Sequence, residues 1–189
     1  MKRLILPAFA ALATAFPAAA EMQSYTIDPA HTRPTYEVMH LGYSIQRGRF
    51  NKTSGKIMLD TAAKKGSADV TIEVASVDTG VPKLDDHLKS EDFFNVAKNP
   101  TITFKSSNFA FDGDKVKSAT GDLTMNGITR PVTLTANLFL CAPHPMTKKP
   151  QCGGDFQTTV KRSDFGMKYA LGPLADGVTL HISVESIKD

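Results

Sequence analysis

The sequence predicts an all-β fold, an antiparallel barrel or sandwich of about eight strands with one short helical interruption. Three observations predict it. Apolar and polar residues alternate with period two along most of the chain, as they do in half-buried strands. Turn signals, chiefly Asp112-Gly113-Asp114 and Asn126-Gly127, recur at hairpin spacing. No strand–helix–strand rhythm appears, so a parallel sheet is not expected.

The first twenty residues read as a removable signal segment. Lys2-Arg3 is a basic start, Leu4 to Phe16 an apolar run, and Ala18-Ala19-Ala20 a small-residue cleavage site before Glu21. Export is expected, with no membrane-spanning segment left after cleavage. Residues 21–189 then form one domain large enough for a sizeable core. Loss of residues 1–20 removes two of the 22 basic residues and none of the 19 acidic ones, so the formal charge falls from +3 to +1. Such a balance leaves no electrostatic footprint for nucleic acid.

Tyr25-Thr26-Ile27 is a short strand entering a turn at Asp28-Pro29. In Thr35 to Leu41, Tyr36, Val38 and His40 share one face. Gly42 and Gly48 bracket a place where the sheet bends, and Phe50 leads into a strand with Ile57 and Leu59 on one side. Val70, Ile72 and Val74 alternate cleanly. After the helical excursion, Ile102 and Phe104, then Phe109 and Phe111, run to the turn at Gly113. Leu123 and Met125 precede Asn126-Gly127, and Val132, Leu134, Ala136, Leu138 and Leu140 follow it as one long face. Phe156, Thr158 and Val160 form the next strand, and Val178, Leu180, Ile182 and Val184 the last.

Ala75 to Phe104 breaks the alternation. Leu84 and Leu88 stand at helical spacing, and Ser90, followed by Glu91 and Asp92, reads as an N-cap. Asn99 before Pro100 must be extended and re-enters a strand. Connections this long are usually lids or binding elements, so the segment is expected to cap the barrel with Leu84, Leu88, Phe93 and Phe94 facing inward. Whether the interior is solid or hollow stays open from pattern alone. If hollow, its apolar lining is expected from Tyr36, Val38, Phe50, Val70, Ile72 and Val74, from the cap residues just named, and from Ile102, Phe104, Leu123, Met125, Val132, Leu134, Phe165, Leu180 and Ile182. Such an interior would hold an apolar ligand and would run no acid–base chemistry.

Cys141 and Cys152 are the two cysteines, and in an exported protein they read as a disulfide across a stiff, proline-rich loop. A metal site of Cys141, His144 and Cys152 is the rival, short of a fourth ligand. His31, His40 and His87 offer a second metal reading, set against ordinary structural roles because no pair has ligand spacing. Arg47, Arg49 and Arg162 could meet an anionic headgroup at a barrel mouth or pair with nearby carboxylates. Ser163-Asp164 has no G-x-S-x-G elbow around it, which removes the support for a hydrolase triad.

Seven segments in order resemble the YceI-like family of periplasmic, lipocalin-like barrels. They are Tyr25–His31, His40–Tyr43 with Arg47–Phe50, Ala75–Gly80, His87–Ser90 with Asp92–Phe94, Pro100–Ser106, Gly121–Gly127 with Pro131–Leu134, and Arg162–Gly166. The resemblance implies a single closed barrel and a non-enzymatic role: binding, transport or storage of an isoprenoid lipid, polyprenyl or quinone-type, in an elongated apolar cavity of the periplasm. It implies no required cofactor beyond such a lipid and brings no catalytic residues with it. The alternative is a metal-binding or stress-protective protein with a solid core. A homodimer is compatible with the edge strands.

Overall fold

The computed structural model describes residues 21–189, so the expected signal segment lies outside the described residues. In order come β1 (Gln23–Ile27), β2 (Thr35–His40), β3 (Ser44–Phe50), β4 (Thr53–Asp60), β5 (Lys65–Glu73) and the two-residue β6 (Val77–Asp78). Helix α1 (Pro82–Lys89) precedes β7 (Thr101–Asp112), β8 (Lys115–Met125), β9 (Ile128–Pro143), β10 (Pro150–Lys161) and β11 (Leu174–Lys188). Every pairing between these strands is antiparallel. β1 pairs with both β4 and β11, which closes a ring of β1, β4, β5, β7, β8, β9, β10 and β11. That is the eight-strand barrel. The other half of β11 pairs with β2, and β3 and β6 extend the sheet beyond it.

The turns carry the register as their sequences predict. Asn126 (φ 50°) and Gly127 (φ 74°) join β8 to β9 with both residues left-handed, the geometry whose twist matches a hairpin. Asn126 also accepts a hydrogen bond from Asn99 (2.8 Å) and donates to the Phe165 carbonyl (3.1 Å), tying this turn to two neighbouring loops.

Two apolar clusters close the interior. One gathers Phe50, Val74, Val77, Phe93, Phe94, Met125, Phe165 and Met167 beneath α1. The other is built from Tyr25, Leu59, Val116 and Cys152, with Phe109, Phe139 and Phe156 against them. The cap is pinned at its start by Asp85, whose carboxylate accepts from the Thr79 amide (2.8 Å) and hydroxyl (2.6 Å).

Three expectations are corrected. Ser90 ends the helix instead of starting one: Pro82 occupies the first turn, where its missing N–H costs nothing, and the Ser90 amide and hydroxyl both donate to the His87 carbonyl. The cysteines lie inside β9 and β10, opposite one another, and the disulfide joins them; the connecting loop is only 144–149. The third correction concerns the face of β9. Phe156 pairs with Ala136 but Asp155 pairs with Leu138, so Asn137 is an extra residue in β9. This β-bulge reverses the alternation beyond it. Leu138 and Leu140 therefore point outward, 59% and 60% exposed, and Phe139 points in.

Candidate functional site

The barrel is hollow. A cavity of about 130 Å³ lies between the two clusters. It is elongated, since its wall runs from Phe50, Ile102 and Met125 of the capped cluster to Leu59 and Cys152 of the other. The burial pattern agrees. Val70, Ile72, Phe104, Val132, Leu134, Leu180 and Ile182 all belong to the wall, yet each is only half-buried. In a filled core the same positions would be covered by their neighbours.

Of the residues expected to line the interior, Tyr36, Phe50, Val70, Ile72, Ile102, Phe104, Leu123, Met125, Val132, Leu134, Leu180 and Ile182 stand in the cavity wall. The other seven do not. Val74, Phe93, Phe94 and Phe165 fill the plug under α1, where Phe94 meets Phe50 edge-on at 5.7 Å between ring centres, and Leu88 packs against them. They seal the cavity without lining it. Leu84 faces water, 38% exposed, because α1 is two turns long and docks through its C-terminal half. Val38 lies two pairs closer to the β2–β3 turn than the cavity reaches.

The wall also takes in Ile27, Ile57, Leu59, Ala68, Ala119 and Phe156, each legible as an alternating position, and Phe139, which is not. Its polar groups are few. Thr32 exchanges hydrogen bonds with the backbone of Glu185, Ser186 donates to the Cys152 carbonyl, and the buried Thr53 hydroxyl has no partner. Among the described residues no Lys, Arg, His, Asp or Glu lines it. Burial, with the charges of Asp85 and Asp78 nearby, raises the pKa of the Tyr36 phenol, so it stays protonated. Such a chamber recognises its occupant by apolar area and by bore.

The polar candidates are engaged elsewhere. His31 is exposed and bonds Asp28 at 2.7 Å; Asp28 raises the pKa of the imidazole and is itself lowered by it. Glu185 lies beside this pair, and the three form the one cluster of metal-ligating spacing among the described residues. His40 stands exposed at the end of β2, while His87 bonds Asp92 and packs edge-on against Phe93 and Tyr169. The three histidines do not converge. Arg47 pairs with Glu37 at 2.8 Å and Arg49 with Asp78 at 2.9 Å. Arg162 is buried and donates to the carbonyls of Ala175, Met167, Tyr169 and Leu174, which lashes the chain between β10 and β11. The Ser163 hydroxyl donates to Asp176 at 2.8 Å.

A closed antiparallel barrel around an apolar chamber, capped by a short helix, is the build of a lipocalin-like binding barrel. Residues 25–186 match the YceI-like domain, and the chain belongs to that family. A UPF0312 protein of Pseudomonas aeruginosa is 43% identical over 169 residues, covering 87% of this chain and 86% of that one. Burkholderia cenocepacia BcnA superposes with a TM-score of 0.71 at 28% identity, over 84% of this chain and 98% of its own. A domain from Saccharophagus degradans, described as polyisoprenoid binding, shares the fold at 13% identity with a TM-score of 0.65, over 88% and 99% of the two chains.

Proposed function

We propose that the mature chain binds and carries or stores an isoprenoid lipid in the periplasm, without catalysis. The observation that carries the proposal is the elongated chamber with an apolar wall and no ionised side chain in it. Each buried methylene stabilises a complex by about 0.8 kcal/mol, so a chain of several isoprene units is held without any polar contact. The name of the Saccharophagus degradans domain points the same way. The signal-like residues 1–20 support export.

Displacement of a fluorescent lipid from delipidated protein tests this. Isoprenoid alcohols of increasing length should bind more tightly with each added unit until the cavity is full, and then level off. Affinity that does not change with chain length would overturn the proposal.

A further inference from the structure

The cavity and a groove on the outer surface share Thr35 and Tyr36. The reason lies in β3. It pairs with β6 only at Arg49 and Phe50, so among the described residues one side of β3 from Gly48 back towards Ser44 is a free sheet edge. Tyr36 stands opposite Gly48 in the β2–β3 register. Its phenol oxygen lies where a Cβ on Gly48 would collide with it. Only a glycine lets the ring lie across β3 at this position, carrying the hydroxyl from the apolar wall to the polar groove.

Among the described residues that hydroxyl has no hydrogen-bond acceptor. The influences on it are burial and the charges of Asp85 and Asp78, with no hydrogen bond among them. The cations bordering the groove are taken: Arg47 by Glu37, Arg49 by Asp78, with Asn51 donating to the same Asp78 oxygen. An incoming phosphate would have to displace carboxylates, whereas an uncharged oxygen would find a free O–H.

We infer that Tyr36 is the polar anchor of the cavity: the ligand's chain lies inside, and its end, at the sheet edge by Gly48, is an uncharged hydrogen-bond acceptor such as a hydroxyl or carbonyl oxygen. This rests on the lipid-binding reading and adds to it the chemistry and position of the ligand's head.

The test uses geranylgeraniol, its phosphate and the hydrocarbon of the same skeleton, each displacing a fluorescent lipid from the delipidated wild type and from Tyr36→Phe. The alcohol should bind the wild type about three- to tenfold more tightly than the hydrocarbon, the scale of one neutral hydrogen bond. Tyr36→Phe, which removes only the hydroxyl, should erase that difference, and the phosphate should bind no more tightly than the alcohol. Gly48→Ala, which forces the ring and its hydroxyl off β3, should likewise erase the preference for the alcohol over the hydrocarbon. A preference that survives both variants, or is absent from the wild type, overturns the inference and leaves lipid binding standing. So does a phosphate favoured more than tenfold. If no probe binds, the lipid-binding reading fails and this inference with it.

Discussion

Val70→Trp separates a hollow barrel from a filled one. Val70 is half-buried in the cavity wall, on β5, opposite Gly55 of β4 and Phe104 of β7. In a filled core, an indole in place of an isopropyl group would overpack and cost about 1–3 kcal/mol or more. Here the ring enters empty space of about 130 Å³, so stability should hold within about 1 kcal/mol, because filling a cavity gains contacts. The cost should fall on binding. Displacing one isoprene unit, five carbons at about 0.8 kcal/mol each, removes up to about 4 kcal/mol, near a thousandfold in affinity. The chain has no tryptophan, so the new indole is also its one tryptophan, excited at wavelengths where the tyrosines absorb little. Denaturant unfolding followed by circular dichroism reads stability, and lipid displacement reads affinity. A variant destabilised by about 3 kcal/mol with unchanged lipid affinity would show that the interior is packed and the ligand elsewhere.

Three further outcomes follow from named contacts. Phe139→Asp should destabilise the fold by more than about 2 kcal/mol, while Leu138→Asp and Leu140→Asp should stay within about 0.5 kcal/mol; the reverse ranking in denaturant melts would disprove the bulge at Asn137. Arg162→Met should cost about 3 kcal/mol or more, since four carbonyls lose their donor at once, and a near-neutral melt would contradict that role. Acid should loosen the fold. Asp78 is held down to about 2 by Asn51, the Gly80 amide and Arg49, and Asp189 is lowered by Lys56, Ser24 and Thr26. Folded values below the unfolded value of about 3.9 give stability that is present above that pH and lost as pH falls towards about 2. His31, raised by Asp28, has the opposite sign: its contribution is complete below its unfolded value of about 6.5 and is lost as pH rises through its folded value. Melting temperature against pH should therefore drop below about pH 4, and Asp78→Asn should shrink the drop; equal profiles would refute the assignment.

The strands were legible because a half-buried sheet imposes period two on the chain, and the hairpin at Asn126-Gly127 because left-handed backbone selects those residues. Phe139 was illegible for the same reason read in reverse. A bulge leaves no mark in composition, and five apolar residues from Val132 to Leu140 keep period two while the backbone swaps faces beneath them; the run Leu138-Phe139-Leu140 does not say which of its faces is inward. Ser90 is chemically suited to either end of a helix, and Pro82, which can stand only in the first turn, decided the matter. The seven residues expected in the wall and found elsewhere show a further limit. Period and hydrophobicity distinguish inside from outside, but not the sealed end of a barrel from its bore, so Val74, Phe93, Phe94 and Phe165 read like Val70 and Phe104. Hollowness itself is a matter of volume across strands distant in sequence, which no single stretch encodes.

The central claim is that the chamber holds a lipid. Native mass spectrometry of the protein expressed from its full sequence and purified without detergent, followed by organic extraction and identification of what is released, tests it most directly. A protein carrying a mass excess that extracts as an isoprenoid is the predicted result. Protein of bare polypeptide mass that takes up no isoprenoid when one is supplied would contradict it.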